Sequence, residues 1–368
     1  MTQQLLYAAG ATFESARRIP QAPEGSRANR LHGHSFRASL RVGALPTDDE
    51  GGVLAPFAGS EVDALRQRLE ERIAPLDYQL LNDHLAVPTD ENVARWIRER
   101  VQLQNIQRVG LQSRRNQGVD LDARDRAQIW RRYEIQAAHR LPNVAPGHKC
   151  GRMHGHSFAI TLHANASENA GPVDCVLLDE LWAPLRQQLH YACLNDIPGL
   201  QNPTSEWLAH WIWGRIHRQL PALCSVSVRE TASSGAHFDG GRYRIWKEFG
   251  LDSAVWLRHA PSGDVRGRVH GHTYRLRLHL SAPLDQVYGW TVDFGDVKEL
   301  FAPVFEQLDH QPLHELAQVA DEGVSAIVRW VRQQAAPALP QLERIDLYET
   351  AGCGVILAWG LQPPALAL

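Results

Sequence analysis

The chain carries a threefold internal repeat, marked by the triplet His-Gly-His at residues 32–34, 154–156 and 270–272. Each triplet opens a run of alternating apolar and polar residues, which is typical of a half-buried antiparallel strand. Histidines at positions i and i+2 of a strand project from the same face, so each triplet also presents a pair of metal ligands. Three tightly joined copies of one unit are expected to pack side by side as a ring, which covers their strand edges.

The length of 368 residues fits three units of roughly 120 residues, a common size for one domain. We expect unit one at residues 1–123, unit two at 124–240 and unit three at 241–368. Short joins are predicted near 121–127 and 235–243, where Gly, Asp and Arg interrupt the apolar periodicity.

Each unit is predicted to run β-β-α-α-β-β, which gives an α+β fold: three units forming one pseudo-trimeric antiparallel barrel with the helices outside. The first helix is indicated by apolar residues at helical spacing, namely Val62, Leu65, Leu69 and Ile73 in unit one and Val297, Leu300, Val304 and Leu308 in unit three. Trp96, Trp211 and Trp330 align in the second helix. The opposite face of the first strands is polar and is expected to be wet or to line a pore.

Composition favours a small-molecule partner over nucleic acid or a membrane surface. The 38 basic and 41 acidic residues give a formal charge of -3, which lacks the excess of positive charge that those polyanions attract. Five scattered cysteines do not suggest a disulfide framework, and the N-terminal segment resembles no export signal. A reducing cytoplasm is the simplest setting.

Unit two alone has the residues for a complete metal site. A strand pattern ends at His139, and an antiparallel return would bring this residue beside His154 and His156. Three neutral imidazoles with one open position predict a catalytic zinc site, whereas the alternative is a buried histidine cluster bonded to backbone carbonyls. Arg17 and Val255 take the position of His139 in the other units, so those pairs are expected to persist as strand-start structure or as weak two-ligand sites.

Other chemistry is distributed between units two and three. Cys150 follows Lys149 and precedes His154, so a nearby cation is expected to lower its thiol pKa; a fourth metal ligand is the alternative role. Asp309 beside His310 predicts an oriented imidazole for proton transfer, against a solvated helix end.

Two glutamates end equivalent strands, Glu230 in unit two and Glu349 in unit three, where unit one is expected to have Gln112. Either carboxylate could accept the paired N–H donors of a guanidine-like heterocycle, with a surface salt bridge as the alternative.

These motifs resemble the family of 6-pyruvoyl- and 6-carboxytetrahydropterin synthases, which share the tunnelling fold. The resemblance rests on AAHRLP at 137–142, GHKCGRMHGHSF at 147–158, LNDIPGLQNPTSE at 194–206, GWTVDF at 289–294 and LDH at 308–310. The three residues between the cysteine and the first histidine of the triplet are similar to the carboxy enzyme.

The resemblance implies one composite active site of the three that the repeat would allow. His139, His154 and His156 would hold Zn²⁺, Cys150 would act as the base, and Asp309 with His310 would complete the site across the junction of units two and three; Glu349, in preference to Glu230, would bind the pterin. The implied enzyme is a zinc lyase that makes 6-carboxytetrahydropterin for queuosine or 7-deazaguanine synthesis.

Three alternatives stay open at this point. The product could be 6-pyruvoyltetrahydropterin, or the chain could be a non-catalytic pterin- or purine-binding protein. The family's trimers usually stack face to face, which leaves open a homodimer of pseudo-trimers.

Overall fold

The structure is a computed structural model that describes residues 3–22, 25–43, 55–166, 174–316, 319 and 323–360. Its strands are β1 (Gln4–Arg17), β2 (His32–Gly43), β3 (Gln79–Leu80), β4 (Ile106–Arg114), β5 (Gln117–Asp122), β6 (Ala127–His139), β7 (His154–Asn165), β8 (Ala192–Cys193), β9 (Leu223–Thr231), β10 (Ser234–Phe238), β11 (Tyr243–Val255), β12 (His270–Ser281), β13 (Leu342–Thr350) and β14 (Cys353–Ala358). Its α-helices are α1 (Glu61–Ile73), α2 (Asp90–Val101), α3 (Cys175–Leu189), α4 (Ser205–Ile216), α5 (Phe294–Phe305) and α6 (Val324–Ala335).

Twelve of these strands form one closed antiparallel barrel. Each unit contributes four consecutive long strands, and β1 pairs with β14, so the first and last strands of the described chain close the ring. The short strands β3 and β8 pair in parallel with β1 and β6 at the barrel's end. Closure removes the exposed strand edges that an open sheet would present. The predicted α+β class and threefold barrel are confirmed.

The helices cover the apolar outer face of the barrel. The predicted apolar positions of α1 are all buried, as are the aligned residues Trp96, Trp211 and Trp330. Leu300 is the exception, since it is 46% exposed while its neighbour Phe301 is fully buried. A one-residue rotation of the apolar stripe explains the difference, because the period of 3.6 residues lets adjacent positions exchange the core-facing role.

The inner face of the barrel is polar and largely buried. Its side chains alternate with those that contact the helices, as Thr161 and His163 alternate with Ile160 and Leu162 along β7. Arg277 of β12 is also almost fully buried there. The polar face predicted for these strands therefore lines the narrow lumen of the barrel.

The second join differs in extent from the prediction. Gly235 lies inside β10, and its position against Trp246 of β11 leaves no room for a side chain. The turn itself spans only residues 239–242.

Among the described residues, no helix is both long and apolar enough to span a bilayer.

Candidate active site

Strand pairing builds a cluster of three histidines in unit two. His139 at the end of β6 stands directly opposite His154 at the start of β7, and Ala137 stands opposite His156. The ring centroid of His139 lies 4.5 Å from that of His154 and 5.2 Å from that of His156. The antiparallel return predicted from the sequence is thus present.

Hydrogen bonds on the outer side of the rings orient two of these histidines. The Nδ1 atom of His139 lies 3.0 Å from the carbonyl of Pro203, and that of His154 lies 2.8 Å from the carbonyl of Arg152. A carbonyl only accepts, so each Nδ1 carries the proton and each Nε2 keeps a free lone pair. Such outer partners are typical of histidines that bind metals.

The fourth member of the cluster is Glu230, at the end of β9. Potential ligand atoms of this carboxylate and the three histidines all lie within 4.8 Å of one another. The Nε2 atoms of His139 and His156 are buried without a hydrogen-bond partner, with the Oε1 atom of Glu230 at 3.8 and 3.2 Å respectively. Orphaned lone pairs that converge on one point fit a bound cation. In the part of the chain that the structure describes, this is the one such group.

Glu230 is held in place from the start of α4. The Ser205 hydroxyl donates a hydrogen bond to its Oε2 atom. Burial by itself would raise the pKa of Glu230, but the contacts with His156 and Ser205 outweigh it and lower the pKa below the usual value. The carboxylate therefore stays ionised within the cluster.

Cys150 borders the same pocket from the turn that precedes β7. Burial raises the pKa of its thiol, the carboxylates of Glu230 and Asp293 raise it further, and Lys149 lowers it. The predicted effect of Lys149 is present, but in the protein without metal the opposing effects are larger.

The opposite wall of the pocket comes from unit three. The pocket has a volume of about 590 Å³ and is lined from unit three by Lys247, Trp290, Val292, Asp293, Phe294, Gly295 and Lys298. Side chains at the start of α4 bind this wall directly, since Thr204 donates to the carbonyl of Gly289, and Asn202 donates to that of Tyr288 at 2.6 Å. The pocket is thus built at the junction of units two and three.

Glu206 is a pocket residue to which the sequence assigned no role, since it stands there only as the last residue of the motif LNDIPGLQNPTSE. Its side chain is 2% exposed and accepts hydrogen bonds from the backbone and hydroxyl of Thr291 at 2.8 and 3.1 Å. Burial raises its pKa to about 7, although the bonds from Thr291 oppose this. The chemical signal was the PTSE sequence, but its burial depends on contact with unit three.

Asp309 and His310 do not line this pocket. Asp309 accepts from the backbone of Asp252 at 2.9 Å, and its other oxygen lies 2.9 Å from the Nδ1 atom of His310. The pair sits on the edge of β11, with the His310 side chain 77% exposed. The bond to Asp309 raises the pKa of His310, as expected for an imidazole next to a carboxylate. The structure therefore forms the predicted pair but leaves it apart from the histidine cluster.

Glu349 also lies elsewhere, at the junction of units three and one. Burial raises its pKa to about 8, and the nearby Asp63 and Glu61 raise it further against Arg66. Of the two strand-end glutamates, only Glu230 lines the pocket, so the preference for Glu349 as pterin ligand is not supported by its position. The reason is that each strand end faces the next unit around the ring.

Strand register also corrects the unit-one equivalent of these glutamates. Arg37 of β2 pairs with Gln112, whereas Ala159 at the same place in β7 pairs with Arg229. Gln112 therefore corresponds to Arg229, and Ser113 is the counterpart of Glu230.

The other two histidine pairs lack a third imidazole, as expected from the sequence. Arg17 stands opposite His32 and donates to the carbonyl of Pro88 at 2.9 Å. In unit three, Val255 stands opposite His270. Neither side chain can replace a neutral imidazole as a ligand.

Comparison with known proteins identifies the family. The sequence profile of the family described as 6-pyruvoyl tetrahydropterin synthase matches three times, at residues 8–120, 128–241 and 244–358. The chain belongs to this family. The threefold His-Gly-His repeat therefore marks a triplication of one family unit.

Two curated relatives each match a stretch close to the length of one unit. A Synechocystis protein named 6-carboxy-5,6,7,8-tetrahydropterin synthase is 36% identical over 119 residues, covering 30% of this chain and 91% of its own length. The dihydroneopterin monophosphate aldolase of Pyrococcus furiosus is 27% identical over 104 residues, covering 27% of this chain and 88% of its own. Among solved structures, Caenorhabditis elegans 6-pyruvoyl tetrahydropterin synthase is 19% identical, with a TM-score of 0.29, and covers 31% of this chain and 95% of its own.

Proposed function

We propose that this protein is a zinc-dependent 6-carboxy-5,6,7,8-tetrahydropterin synthase. It would convert 7,8-dihydroneopterin triphosphate and one water molecule into 6-carboxytetrahydropterin, acetaldehyde and triphosphate, and so supply queuosine or 7-deazaguanine synthesis. The observation that carries the proposal is the junction pocket, which unites three convergent histidines with Cys150 and a buried carboxylate. The 36% identity to a relative of that name supports the choice of reaction.

His139, His154 and His156 are the proposed metal ligands. The Nε2 atoms of His139 and His156 have no hydrogen-bond partner, and the rings of His139 and His154 are oriented by backbone carbonyls. This arrangement fits zinc, which favours imidazole ligands and in catalytic sites keeps one coordination position open. A zinc ion held there would supply a Lewis acid for the side-chain oxygens of the substrate. Glu230 is then left to the heterocycle.

Glu230 is the proposed pterin anchor. An ionised carboxylate accepts two parallel N–H bonds, which matches the amino group and ring N–H of a pterin. Ser205 fixes one carboxylate oxygen, so the group is preoriented before substrate binds. Its place beside the histidines would set the pterin side chain toward them.

Three lysines line the same pocket and suit the triphosphate. Lys149 belongs to unit two, whereas Lys247 and Lys298 belong to unit three. Their ammonium groups would offset the negative charge of the substrate and stabilise triphosphate as it leaves. The two-unit wall is thus part of the proposed recognition.

Proton transfer is assigned to Cys150 and to the Asp309–His310 pair. Cys150 borders the pocket and would remove a substrate proton as a thiolate. Asp309 orients His310, which would carry the second proton. Because neither member of the pair lines the pocket, the role of His310 needs its own test.

One assay tests the proposal. Purified protein is incubated with 7,8-dihydroneopterin triphosphate while acetaldehyde, pterin products and bound metal are measured. We expect acetaldehyde and 6-carboxytetrahydropterin in equal amounts, with about one zinc ion per chain. A 6-pyruvoyl product without acetaldehyde, substrate binding without turnover, or about three zinc ions per chain would each contradict it.

A further inference from the structure

His148 begins the turn that carries Cys150. Its Nδ1 atom accepts a hydrogen bond from the backbone N–H of Cys150 at 3.2 Å and so caps the short 3-10 turn Lys149–Gly151. A backbone N–H only donates, so Nδ1 carries no proton and the proton of the neutral ring lies on Nε2. The capping bond therefore fixes both the ring and its tautomer.

The second ring nitrogen of His148 faces unit three. Its Nε2 atom lies 3.7 Å from the Oδ2 atom of Asp293, and its ring centroid lies 6.1 Å from that of Trp290. Asp293 is itself held in place, because its Oδ1 atom accepts hydrogen bonds from two backbone N–H groups at the start of α5. Cys150 and Asp293 both line the junction pocket, whereas His148 lies behind the lining. His148 thus connects the turn of the thiol to the wall that unit three provides.

The other two units cap the same turn with residues that cannot make this connection. Ser26 accepts from the backbone of Ala28 at 3.3 Å in unit one, and Asp264 accepts from the backbone of Arg266 at 2.9 Å in unit three. Serine and aspartate are preferred at such positions, because a short side chain with an oxygen is sufficient. A cap alone therefore does not account for the histidine in the unit that carries the thiol. The additional group of a histidine is the donor on the far side of its ring.

That donor faces the carboxylates that oppose thiolate formation. Burial raises the pKa of the Cys150 thiol, and Glu230 and Asp293 raise it further. Burial and Asp293 also raise the pKa of Asp296, whereas His148 lowers it, so the ring acts on both carboxylates of α5 and its cap. An N–H directed at Asp293 draws its negative charge away from the thiol.

We propose that His148 is a positioning residue, which connects the turn of Cys150 to Asp293 of unit three. The inference rests on the proposed function, in which Cys150 is the base. The bond at Nδ1 holds the turn, while the N–H at Nε2 offsets the charge of Asp293 near the thiol. Closure of the junction by unit three thereby prepares the thiol of unit two.

Alkylation of Cys150 by iodoacetamide tests this without substrate. The rate is followed across a range of pH on the metal-loaded full chain, by mass spectrometry of the Cys150 peptide, because the chain has five cysteines. His148→Ser keeps a capping oxygen, as in unit one, but removes the donor to Asp293. We expect the thiol pKa to rise by roughly half a unit to one unit, so that alkylation near about pH 7 slows about 3- to 10-fold. The same pH profile in His148→Ser and wild type would reduce His148 to a cap and overturn the proposal.

A double variant shows whether His148 acts through Asp293. Asp293→Asn keeps a capping oxygen for α5, and in this background we expect His148→Ser to change the alkylation rate by less than about twofold. An undiminished effect would refute the connection. The matched control Asp264→Ser changes the equivalent cap of unit three and should leave alkylation of Cys150 as in wild type; an equal slowing there would also refute it.

Turnover separates this inference from the proposed function. In an active enzyme, His148→Ser should lower kcat with little change in KM, because His148 lies outside the pocket lining. If the wild type has no lyase activity but His148→Ser slows alkylation as expected, the proposed function fails while the connection from His148 to the thiol stands.

Discussion

Arg17 Nη1 lies 2.7 Å from the Oδ1 atom of Asp90, at the place in unit one where unit two has its third histidine. The two sites share their outer contact, since Arg17 donates to the carbonyl of Pro88 as His139 does to that of Pro203. Both side chains of the ion pair are largely buried. In unit one, the fixed positive charge of Arg17 thus stands where unit two has a residue that could coordinate a metal cation.

The carboxylate and hydroxyl around this position have also exchanged places. In unit two the helix-start Ser205 donates to the strand residue Glu230, whereas in unit one the strand residue Ser113 donates to the helix-start Asp90 at 2.6 Å. The same hydrogen bond is kept with its partners reversed. Unit one therefore retains the shape of the site while Arg17 cancels its charge.

Reversing these three changes should create a second metal site. The variant Arg17→His/Asp90→Ser/Ser113→Glu rebuilds three histidines and a glutamate around His32 and His34, so we expect bound zinc to rise from about one to about two ions per chain. Metal analysis after dialysis measures this. The matched control Asp90→Ser/Ser113→Glu keeps Arg17 and should stay near one ion. An unchanged zinc content in the folded triple variant would contradict the equivalence.

Glu230→Gln should separate metal binding from pterin binding. The amide keeps the size of the side chain but cannot accept two N–H bonds, so we expect pterin affinity to fall about 30- to 100-fold while zinc is retained. His156→Ala is the comparison, since it removes a proposed ligand and should lose the metal. Calorimetric titration with a pterin and metal analysis give the two readouts. Loss of zinc from Glu230→Gln would instead make the carboxylate a ligand.

Local patterning predicted the histidine cluster, but ring geometry decided its partners. The alternation along β6 and β7 is enough to place His139 opposite His154, because one register buries the apolar face. The choice between Glu230 and Glu349 required knowing which unit each strand end faces after closure. No periodicity within one unit contains that information.

The sequence also could not predict the side-chain environment of two ionisable residues. Glu206 reads as an ordinary helix-start acid, and only Thr291 of the next unit makes it a buried pocket residue. Conversely, His310 forms the predicted pair with Asp309, yet its loop leaves it exposed on the edge of β11. A contact between units determines the first outcome, and the loop within unit three determines the second.

Glu349 should make stability depend on pH. Its pKa in the folded protein is about 8, above the ordinary value, so its protonated form is favoured by folding. That contribution is complete below the unfolded pKa near 4.5 and is lost as pH rises through about 8. Glu349→Gln stays neutral, so urea unfolding should show it more stable than wild type by roughly 2–4 kcal/mol at pH 9 and equal to it at pH 4.5. The exposed control Glu299→Gln should differ from wild type by the same amount at both pH values. If the stability of Glu349→Gln instead changes with pH in parallel with that of wild type, Glu349 is excluded as the origin of the pH dependence.

His310→Ala tests whether the exposed pair takes part in the reaction. If His310 carries a proton, its removal should lower turnover by about 10²- to 10⁴-fold while zinc content and folding stay unchanged. Asp309→Asn should lower turnover less, because it disturbs only the orientation of the ring. Unchanged turnover in His310→Ala would remove the pair from the mechanism. Mixing Cys150→Ala chains with His310→Ala chains then shows whether Cys150 and His310 act within one chain or between two chains. Since the His310 side chain is 77% exposed and outside the pocket, we expect activity to return as chains exchange. No return of activity would place both groups in one chain.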